Sequence, residues 1–547
     1  MNYTQTWRDR TDLSKNEYWK LEKDGLEILK ELDRLSATPF EQIDVSDIER
    51  LKWAGIYCQR PKNGKFLIRI KLPSGKLNAA QGHIIADLAE QYGQSELQIT
   101  IRQCIQIHNL TLNEIPDIFR ALDSVGLTTV EGCGDVPRNI LGNPLMGVDP
   151  EELFDTEPIV NEAVRRFVGN PDYANLPRKY KLSFSANPHD VGYAGINDLA
   201  FVPAVYGPER TPGFHIRIGG GLSSEPKLSK PLNLFVLPER AVDVAEAVAC
   251  IFRDRGYRTK RNHCRLKYLI EDIGAREAER LIEAITGPLP HGGRTLAKSW
   301  NRGNFYGIHK QKQPGLYYAG LCVTGGVLPA SDFRKIVALS KKYGDGQLRT
   351  TNTHQFIILN IPEDRRRDFR SESILSRYPL HPKAFSGYQA SCTGRAYCSF
   401  APIETKHALN QITAELDERF PNLRMPIRIN LTGCPHSCAH PQIADIGFTG
   451  GKMKTADGIL VDAYAVAVGG HLGPNPHFGT VLKNRIPADQ ATDLAADFVR
   501  HYLNGRKKGE RFYEFVDRTG ADAFQDILDR YQPSVKSSKL VKPNPMD

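Results

Sequence analysis

Two halves of this chain repeat the same series of sequence patterns about 250 residues apart, which predicts an internally duplicated fold. Residues 176–182 match 425–431, residues 197–201 match 444–448, and residues 216–222 match 465–472. A fourth match aligns Gln355 on Gln103, with a Tyr-Gly pair upstream of each. Because the period is far longer than a solenoid repeat, four matches in one order favour two half-molecules around a pseudo-two-fold axis. The seam between such halves is a natural place for a large cofactor.

Hydrophobic periodicity predicts the elements of each half. Alternating apolar residues predict strands over 66–72 and 97–107, and helical spacing predicts helices near 82–91 and 114–125. The second half repeats this order with a helix over 331–343 and a strand over 348–362. The first 50 residues are polar and helix-prone, and we expect them to form an arm that packs on the body.

Composition excludes several protein classes. Ten cysteines in 547 residues are too sparse for a disulfide-stapled secreted scaffold. The N-terminus lacks the apolar core of a signal peptide, and no apolar run approaches the ~20 residues of a membrane helix. We therefore expect a cytoplasmic protein that contacts no membrane.

Four of the cysteines are grouped, whereas the other six are isolated and are expected to be buried apolar groups or thiols of uncertain role. Cys392 and Cys398 have five residues between them, and Cys434 and Cys438 have three. Four clustered thiols in a cytosolic protein suggest a metal site. The gap of five is slightly long for structural zinc, and four cysteines also hold iron–sulfur clusters, so spacing alone leaves cluster, zinc and coincidence open.

Basic side chains occur on the predicted strands at positions that share a face. Lys179 and Lys181 are two apart, and so are Thr100 and Arg102, while Arg69 points away from the apolar face of its strand. Two neighbouring ammonium groups repel each other unless an anion lies between them. Each cation alone also fits a solvated outer face.

The cysteine motifs resemble those of the sirohaem-dependent sulfite and nitrite reductases. These motifs are Cys-x5-Cys, then Gly-Cys-Pro-x-x-Cys, then the sequence of residues 443–448, and the resemblance runs from about Leu51 through the C-terminal domain. It implies an α+β, internally duplicated fold, with mixed and antiparallel sheets flanked by helices around a central sirohaem. It also implies that Cys438 bridges to the sirohaem iron and that a [4Fe–4S] cluster is held by Cys392, Cys398, Cys434 and Cys438.

The resemblance further assigns the cations and their neighbours. The positions of the substrate-binding cations are matched by Arg69, Arg138, Lys179 and Lys181. Positions near the sirohaem, whose eight carboxylates require a basic lining, are matched by Arg102, Arg178, Gln355 and His436. The family usually has Asn where this chain has His436. Tyr57 and Cys133 lie in segments that approach the pocket in the family, where a covalent Tyr–Cys link is a further expectation.

The resemblance implies four regions. We expect an N-terminal helical arm over 1–50 and a paired ferredoxin-like repeat domain over 51–130 plus 327–375. Residues 131–326 would form the first sirohaem- and substrate-binding half. Residues 376–547 would form the second half, which carries the cluster and a flexible C-terminal tail with Lys536, Lys539 and Lys542.

The reaction implied is a six-electron reduction of a small oxyanion, sulfite to sulfide or nitrite to ammonia. Lys179-Tyr180-Lys181 is the sulfite-type pattern, since nitrite-specific members typically have Asn at the second lysine, and we expect sulfite. Nitrite is the alternative, because residues 392–398 and 403–406 resemble the nitrite-reducing branch. A nicotinamide or flavin fingerprint is missing, so electrons are expected from reduced ferredoxin or a flavoprotein donor.

A nucleic-acid-binding protein with structural zinc is the main rival reading. Its support is the net charge of +9 and the four cysteines. The dense basic run at 365–367 is flanked by Asp364 and Asp368, which favours a solvated surface, so no nucleic-acid partner is expected. The positive charge fits the docking of an acidic electron donor equally well.

Overall fold

A computed structural model of the chain describes residues 5–455 and 457–531. The predicted tail with Lys536, Lys539 and Lys542 lies outside the described residues. The helices are α1 Lys15–Glu22, α2 Leu32–Ser36, α3 Val45–Arg50, α4 Ala79–Gln91, α5 Ile115–Asp123, α6 Glu157–Phe167, α7 Ala241–Arg255, α8 Leu266–Thr286, α9 Ala330–Tyr343, α10 Arg366–Arg370, α11 Lys406–Arg419, α12 Ala491–Gly505, α13 Phe512–Thr519 and α14 Asp522–Leu528. The strands are β1 Ile56–Cys58, β2 Phe66–Ile70, β3 Lys76–Asn78, β4 Glu96–Ile99, β5 Ile105–Leu110, β6 Leu141–Gly142, β7 Leu182–Phe184, β8 Leu199–Tyr206, β9 Thr211–Ile218, β10 Lys230–Val236, β11 Arg294–Thr295, β12 Gly307–Lys310, β13 Leu316–Cys322, β14 Val327–Pro329, β15 Gln347–Thr350, β16 Gln355–Pro362, β17 Gln389–Ser391, β18 Ile429–Thr432, β19 Ile446–Lys454, β20 Leu460–Val468 and β21 Thr480–Pro487.

Two antiparallel five-stranded sheets exchange one strand with each other. The first sheet has the order β1-β2-β5-β4-β14, and its partner has the order β12-β13-β16-β15-β3. Strand β14 therefore comes from the second half of the chain and β3 from the first. The two exchanged strands pair in equivalent ways: Leu328 of β14 pairs with Leu97 of β4, and Leu77 of β3 pairs with Leu348 of β15. This reciprocal exchange joins the two halves at the pseudo-two-fold axis.

Two mixed sheets form the remaining repeat. One has the order β10-β9-β8-β7-β6, with β11 beside β8, and the other has the order β17-β18-β19-β20-β21. In each, three strands run parallel and the following hairpin is antiparallel. Helices α6, α7 and α8 cover the first mixed sheet, and α11 to α14 cover the second. The predicted α+β duplicated fold is confirmed.

Each predicted long strand of the ferredoxin-like pair proves to be a hairpin, so both predictions were wrong at this point. Residues 97–107 divide into β4 and β5, and residues 348–362 divide into β15 and β16. The turns lack Gly and Pro, and they close by bonds from Thr100 N to Cys104 O (2.8 Å) and from Thr351 N to Gln355 O (3.1 Å). Gln103 and His354 take the left-handed conformation, with φ of 56° and 63°. Thr100 and Arg102 therefore lie in a turn rather than on one strand face.

The turns also correct the alignment of the repeats. Gln355 matches Cys104 in hydrogen bonding, and Gln103 matches His354, so the expected pairing of Gln355 with Gln103 is off by one residue. In the mixed sheets, Lys181 O accepts from Leu199 N and Arg428 O accepts from Ile446 N, both at 3.1 Å. Lys181 therefore matches Arg428, two residues away from the sequence alignment. A slip of two keeps the alternation of faces, which is why the sequence pattern did not reveal it.

The strand that carries the two lysines is also shorter than expected. Strand β7 begins at Leu182, and Tyr180 makes an isolated parallel bridge to Pro137. Lys179 and Lys181 lie on this extended approach, which still places their side chains on one side. Arg138 N donates to Tyr180 O at 2.8 Å, so the segment that carries Arg138 runs beside them.

The N-terminal segment packs on the body through buried polar as well as apolar groups. Trp7 is fully buried, and Glu17 and Lys20 of α1 are almost fully buried. Arg258 of the body pairs with Glu17 and lies over the Trp7 ring at 4.1 Å. Within the described ranges, no helix is both long enough and apolar enough to cross a bilayer.

Candidate functional site

A cavity of about 600 Å³ lies where the two halves and the arm meet. It is reached by β1 and β2, by the turn after β4, by the approach to β7 and by the loops that carry the four grouped cysteines. The sequence-predicted residues in its lining are Arg69, Arg102, Arg138, Arg178, Lys179, Lys181, Cys392, Cys398, Cys434, His436 and Cys438. The seam of the duplication is therefore where these side chains converge.

The predicted residue outside this lining is Gln355. Its amide nitrogen donates to Gly303 O at 2.6 Å and to Thr353 Oγ1 at 2.9 Å. The preceding residue, His354, lines the cavity instead. The predicted contact between Gln355 and the sirohaem thus gains no support from the geometry and stays a prediction.

The cavity carries an excess of positive charge. Among the residues described by the structure, no carboxylate lies within 4 Å of the basic groups of Arg69, Arg102, Arg138, Lys179 and Lys181. Two of these are held by neutral oxygens: Arg138 Nη2 donates to Gly134 O at 2.9 Å, and Arg69 Nη1 donates to the Tyr57 hydroxyl at 3.0 Å. Buried cations favour nearby anions, and the described residues place no carboxylate in direct contact with these five.

Burial and mutual repulsion lower the pKa values of the cavity cations. The pKa of Lys179 falls to about 7, because the group is buried and lies near the charges of Arg265 and Arg178. The pKa of Lys181 lies well below its usual value, owing to burial and then to the charges of Arg102 and Lys179. Burial lowers the pKa of Arg102 to about 9. A polyanion in the cavity would restore the charged forms.

Two buried carboxylates set the positions of further cations at the cavity wall. Asp135 accepts from Arg261 at 2.8 and 3.1 Å and from Arg178 at 3.1 Å. Asp198 accepts from Arg265 Nη2 at 2.9 Å, and its Oδ2 also accepts from the backbone N–H of Lys181 at 2.9 Å. Both carboxylates are fully buried. They therefore fix the backbone and side chains that face the cavity.

Sequence reasoning missed many residues of the lining, among them Arg261, Arg265, His354, Lys406 and His440. Lys406 belongs to the motif over 403–406, which was a usable signal. Arg265 pairs with Asp198, a residue of one repeat match, but nothing in the spacing linked the two. His354 and His440 lie at left-handed positions of turns without glycine, where sequence gives little warning.

The four grouped cysteines come together at one wall of the cavity through tight turns. Cys398 N donates to Gly394 O at 2.9 Å, and Gly394 has φ of +70°. In the second motif Ser437 N donates to Cys434 O at 3.2 Å, with Ser437 in the left-handed region. The pKa of Cys434 rises to about 12, because of burial and then of the neighbouring Cys438, Cys392 and Cys398. Each thiol therefore lies within electrostatic range of the others.

The spacing of the sulfur atoms argues against a zinc ion. In the described part of the chain, no three of these four sulfurs all lie within 4.8 Å of one another. A tetrahedral zinc site, with Zn–S bonds of about 2.3 Å, needs sulfurs about 3.8 Å apart. The quartet thus fits a larger group such as an iron–sulfur cluster. Gly433 N already donates to Cys392 Sγ at 3.2 Å, the kind of bond that tunes a cluster.

The cationic lining fits sirohaem, which brings many carboxylates. In the part of the chain that the structure describes, buried Arg102 Nε has no hydrogen-bond partner, although its two terminal nitrogens donate to Asn197 Oδ1 and Asn139 O. Cys438, exposed toward the cavity, lies beside this lining. His436, in place of the usual Asn, has Nδ1 at 3.3 Å from Cys434 Sγ and its ring against Phe400. The residues present therefore fit both cofactors.

Tyr57 and Cys133 are neighbours in the cavity wall. Burial raises the pKa of the Tyr57 hydroxyl, and the adjacent Cys133 thiol raises it further. Arg69 lies 5.0 Å from the centre of the Tyr57 ring. Their proximity agrees with the expected approach of both segments to the pocket, and the covalent link stays a prediction.

Comparison with known proteins matches two family profiles, each of them twice. The "Nitrite and sulphite reductase 4Fe-4S domain" matches residues 133–287 and 388–535. The "Nitrite/Sulfite reductase ferredoxin-like half domain" matches residues 59–125 and 309–372. Together these matches cover most of the chain and repeat in both halves.

Relatives with two different names resemble the chain over nearly their whole length. A "Ferredoxin--nitrite reductase" of Synechococcus elongatus is 36% identical over 493 residues, which are 88% of this chain and 95% of the relative. A "Sulfite reductase [ferredoxin]" of Mycobacterium tuberculosis is 32% identical over 543 residues, 94% of this chain and 96% of the relative. The solved structure of the Mycobacterium tuberculosis NirA protein superposes with a TM-score of 0.88 at 31% identity, covering 94% of this chain and 97% of that one.

Proposed function

The chain belongs to the nitrite and sulphite reductase family, and on this premise we propose that it catalyses the six-electron reduction of sulfite to sulfide. It is a ferredoxin-dependent enzyme whose cofactors are a sirohaem and a [4Fe–4S] cluster. The observation that carries the choice of sulfite is the pair Lys179 and Lys181, two cations in one cavity whose ammonium groups pair with no carboxylate among the described residues.

The cofactors supply the redox chemistry, and the side chains supply binding, orientation and protons. In this proposal the cluster is held by Cys392, Cys398, Cys434 and Cys438. Arg102 and Arg178 would bind sirohaem carboxylates, for which their planar guanidinium groups suit bidentate contacts. Asp135 holds Arg178 in place for that contact.

Four cations would bind the oxyanion substrate: Arg69, Arg138, Lys179 and Lys181. Arg69 and Arg138 are oriented by neutral oxygens, so their positive charge remains available to an anion. Such preorganised donors stabilise negative charge that builds on the substrate oxygens as they leave. Their alignment before substrate arrives costs no reorganisation during the reaction.

Each oxygen that leaves as water needs protons, and we assign one donor to Lys179 Nζ. Its pKa of about 7 lets the ammonium give up a proton near neutral pH and regain it from solvent. Lys181 contributes chiefly charge. Because sulfite is largely a dianion near neutral pH and nitrite is a monoanion, one more cation favours sulfite.

Reduction of nitrite to ammonia is the second candidate, favoured by a different observation. The residues around Cys392 and the segment over 403–406 resemble the nitrite-reducing branch, and Lys406 of that segment lines the cavity. The relatives named above include both activities at similar identity. We weight the cations that face the substrate above these outer motifs.

The deciding experiment compares kcat/KM for sulfite and nitrite in the holoenzyme, with reduced ferredoxin as donor to both. The proposal expects the larger kcat/KM with sulfite. A clear preference for nitrite would reverse the substrate assignment while leaving the enzyme class intact. Replacing ferredoxin by a reduced flavoprotein in the same assay tests the alternative donor. A cytoplasmic location, also proposed, agrees with ten free cysteines.

A further inference from the structure

Two histidines and an aspartate form a separate cluster in the second half. His471 and His477 face each other across the loop between β20 and β21, with reciprocal bonds from His471 N to His477 O (3.0 Å) and from His477 N to His471 O (3.1 Å). Asp517 lies on α13. One ring nitrogen of each histidine and one carboxylate oxygen all lie within 4.8 Å of one another.

Two ligand atoms of this cluster contact each other, and a third lacks a hydrogen-bond partner among the described residues. His477 Nε2 lies 2.8 Å from Asp517 Oδ1, while its Nδ1 is 3.3 Å from Phe478 O. If Nδ1 donates to that carbonyl, Nε2 and Oδ1 are two acceptors 2.8 Å apart, and this contact requires either a proton shared between them or a metal ion beside them that binds both. His471 Nδ1 is buried and has no hydrogen-bond partner within residues 5–455 and 457–531. Both observations point to a cation.

The duplicated half provides an internal comparison. The matching loop of the first half carries the same reciprocal backbone bonds, between Gly221 and Lys227 at 2.8 Å. Lys227 forms an ion pair with Glu271 of α8, where the second half has His477 and Asp517. A protonated lysine offers no lone pair, and glycine offers no side chain, so the first-half set cannot ligate a metal. Where the first half has an ordinary ion pair, the second half has three groups that can ligate a metal.

We propose that His471, His477 and Asp517 bind a divalent zinc-like transition metal ion. Two imidazoles and one carboxylate suit such an ion, with bonds of about 2.0–2.2 Å. His477 and Asp517 each keep 41% of their side-chain surface exposed, which leaves room for a water as fourth ligand. The ion would tie the β20–β21 loop to α13.

The other groups around the cluster do not oppose a cation. The Tyr513 ring stacks on His471 at 4.6 Å, and the Arg302 guanidinium lies 5.4 Å from the centre of the Tyr513 ring. The charge of Arg302 is already compensated by its pair with buried Asp445. The site is separate from the four cysteines and the cationic cavity, since none of its three residues lines that cavity.

Equilibrium dialysis of the holoenzyme against limiting Zn²⁺, with metal analysis of the retained protein, tests the site. Full iron content must be verified first, so that empty cysteine sites do not take up zinc. The wild type should retain one zinc per chain. His471→Gly and the double variant His477→Lys/Asp517→Glu, which recreates the first-half ion pair, should bind zinc at least about 10–100-fold more weakly.

His407→Gln, a change on the exposed surface of α11, is the matched control and should bind zinc like the wild type. Sirohaem absorption and iron content report whether each variant is folded. If His471→Gly loses the sirohaem, the double variant decides alone. Zinc binding equal in the wild type and the double variant would overturn the proposal. Because the readout is bound metal, this result is independent of which oxyanion is reduced.

Discussion

Lys20 on the N-terminal helix α1 places its ammonium 2.9 Å from the carboxylate of Asp135, in the wall of the cationic cavity. Both side chains are almost completely buried. Asp135 also binds Arg178 and Arg261, so one carboxylate joins the arm to two cations of the cavity wall. Burial alone would raise the pKa of Asp135, but Arg261, Lys20 and Arg178 hold it well below its usual range.

Asp135→Asn should lower the free energy of unfolding by about 3–5 kcal/mol, because a fully buried carboxylate that pairs with buried Lys20 and with the partly exposed Arg178 and Arg261 is lost. Urea unfolding near pH 7 measures this, with Asp12→Asn in the exposed pair with Arg10 as control, where about 1 kcal/mol or less is expected. The contribution of Asp135 is present above its unfolded pKa of about 4 and is lost as pH falls toward its depressed folded pKa. Equal losses in the two variants would contradict this.

Lys179→Arg should separate charge from proton transfer. Arginine keeps the positive charge but does not release its proton, so KM should change little while kcat falls by about 10²-fold or more. In the wild type kcat should fall at alkaline pH as the ammonium form of Lys179 is lost, with a midpoint at or above 7, since burial and neighbouring cations lower the pKa of Lys179 to about 7 and the sirohaem carboxylates oppose that shift. Steady-state rates between pH 6 and 9 measure both effects. A variant that kept the wild-type kcat and the same descending limb would exclude Lys179 as the proton donor.

Lys181→Asn should shift specificity from sulfite toward nitrite. Removing one positive charge weakens binding of a dianion more than of a monoanion, and we expect the ratio of kcat/KM values to move by at least about tenfold. Lys227→Asn, which removes a lysine paired with Glu271 outside the cavity, is the control. An unchanged ratio in Lys181→Asn, with the sirohaem retained, would argue that Lys181 does not sense the substrate charge.

Gly75→Ala should disrupt the junction of the halves. Gly75 has φ of +77°, and an added Cβ would lie 1.9 Å from Thr350 O in the other half. Gly126, with φ of +68° and open space around it, is the control. Gly126→Ala should lower the free energy of unfolding by about 1–2 kcal/mol. Gly75→Ala should lower the free energy of unfolding by more than about 4 kcal/mol or prevent folding, because the steric conflict is with backbone that cannot move away. Equal melting temperatures of the two variants would contradict this prediction, because they would mean that the backbone at Thr350 shifts to accommodate the added Cβ at little cost.

The sequence allowed the duplication, the grouping of four cysteines and six of the cavity cations to be predicted. The turns at Gln103 and His354 were not predictable, because left-handed residues other than glycine leave no compositional mark. The two-residue slip between Lys181 and Arg428 was hidden by the period of a strand. Asp135 and Asp198 were missed as organisers since their partners lie far away in sequence, such as Arg261 and Arg265.

The exchange of β3 and β14 has a consequence for how the protein is made. Strand β4 ends at Ile99, but its neighbour β14 is complete only at Pro329, about 230 residues later. At roughly 5–20 residues per second, the ribosome takes on the order of 10–50 seconds to deliver that neighbour. During this interval the growing chain carries an open strand edge, a surface on which another nascent copy can pair. Correct assembly therefore requires that β14 is translated before the open edge of β4 pairs with a second chain.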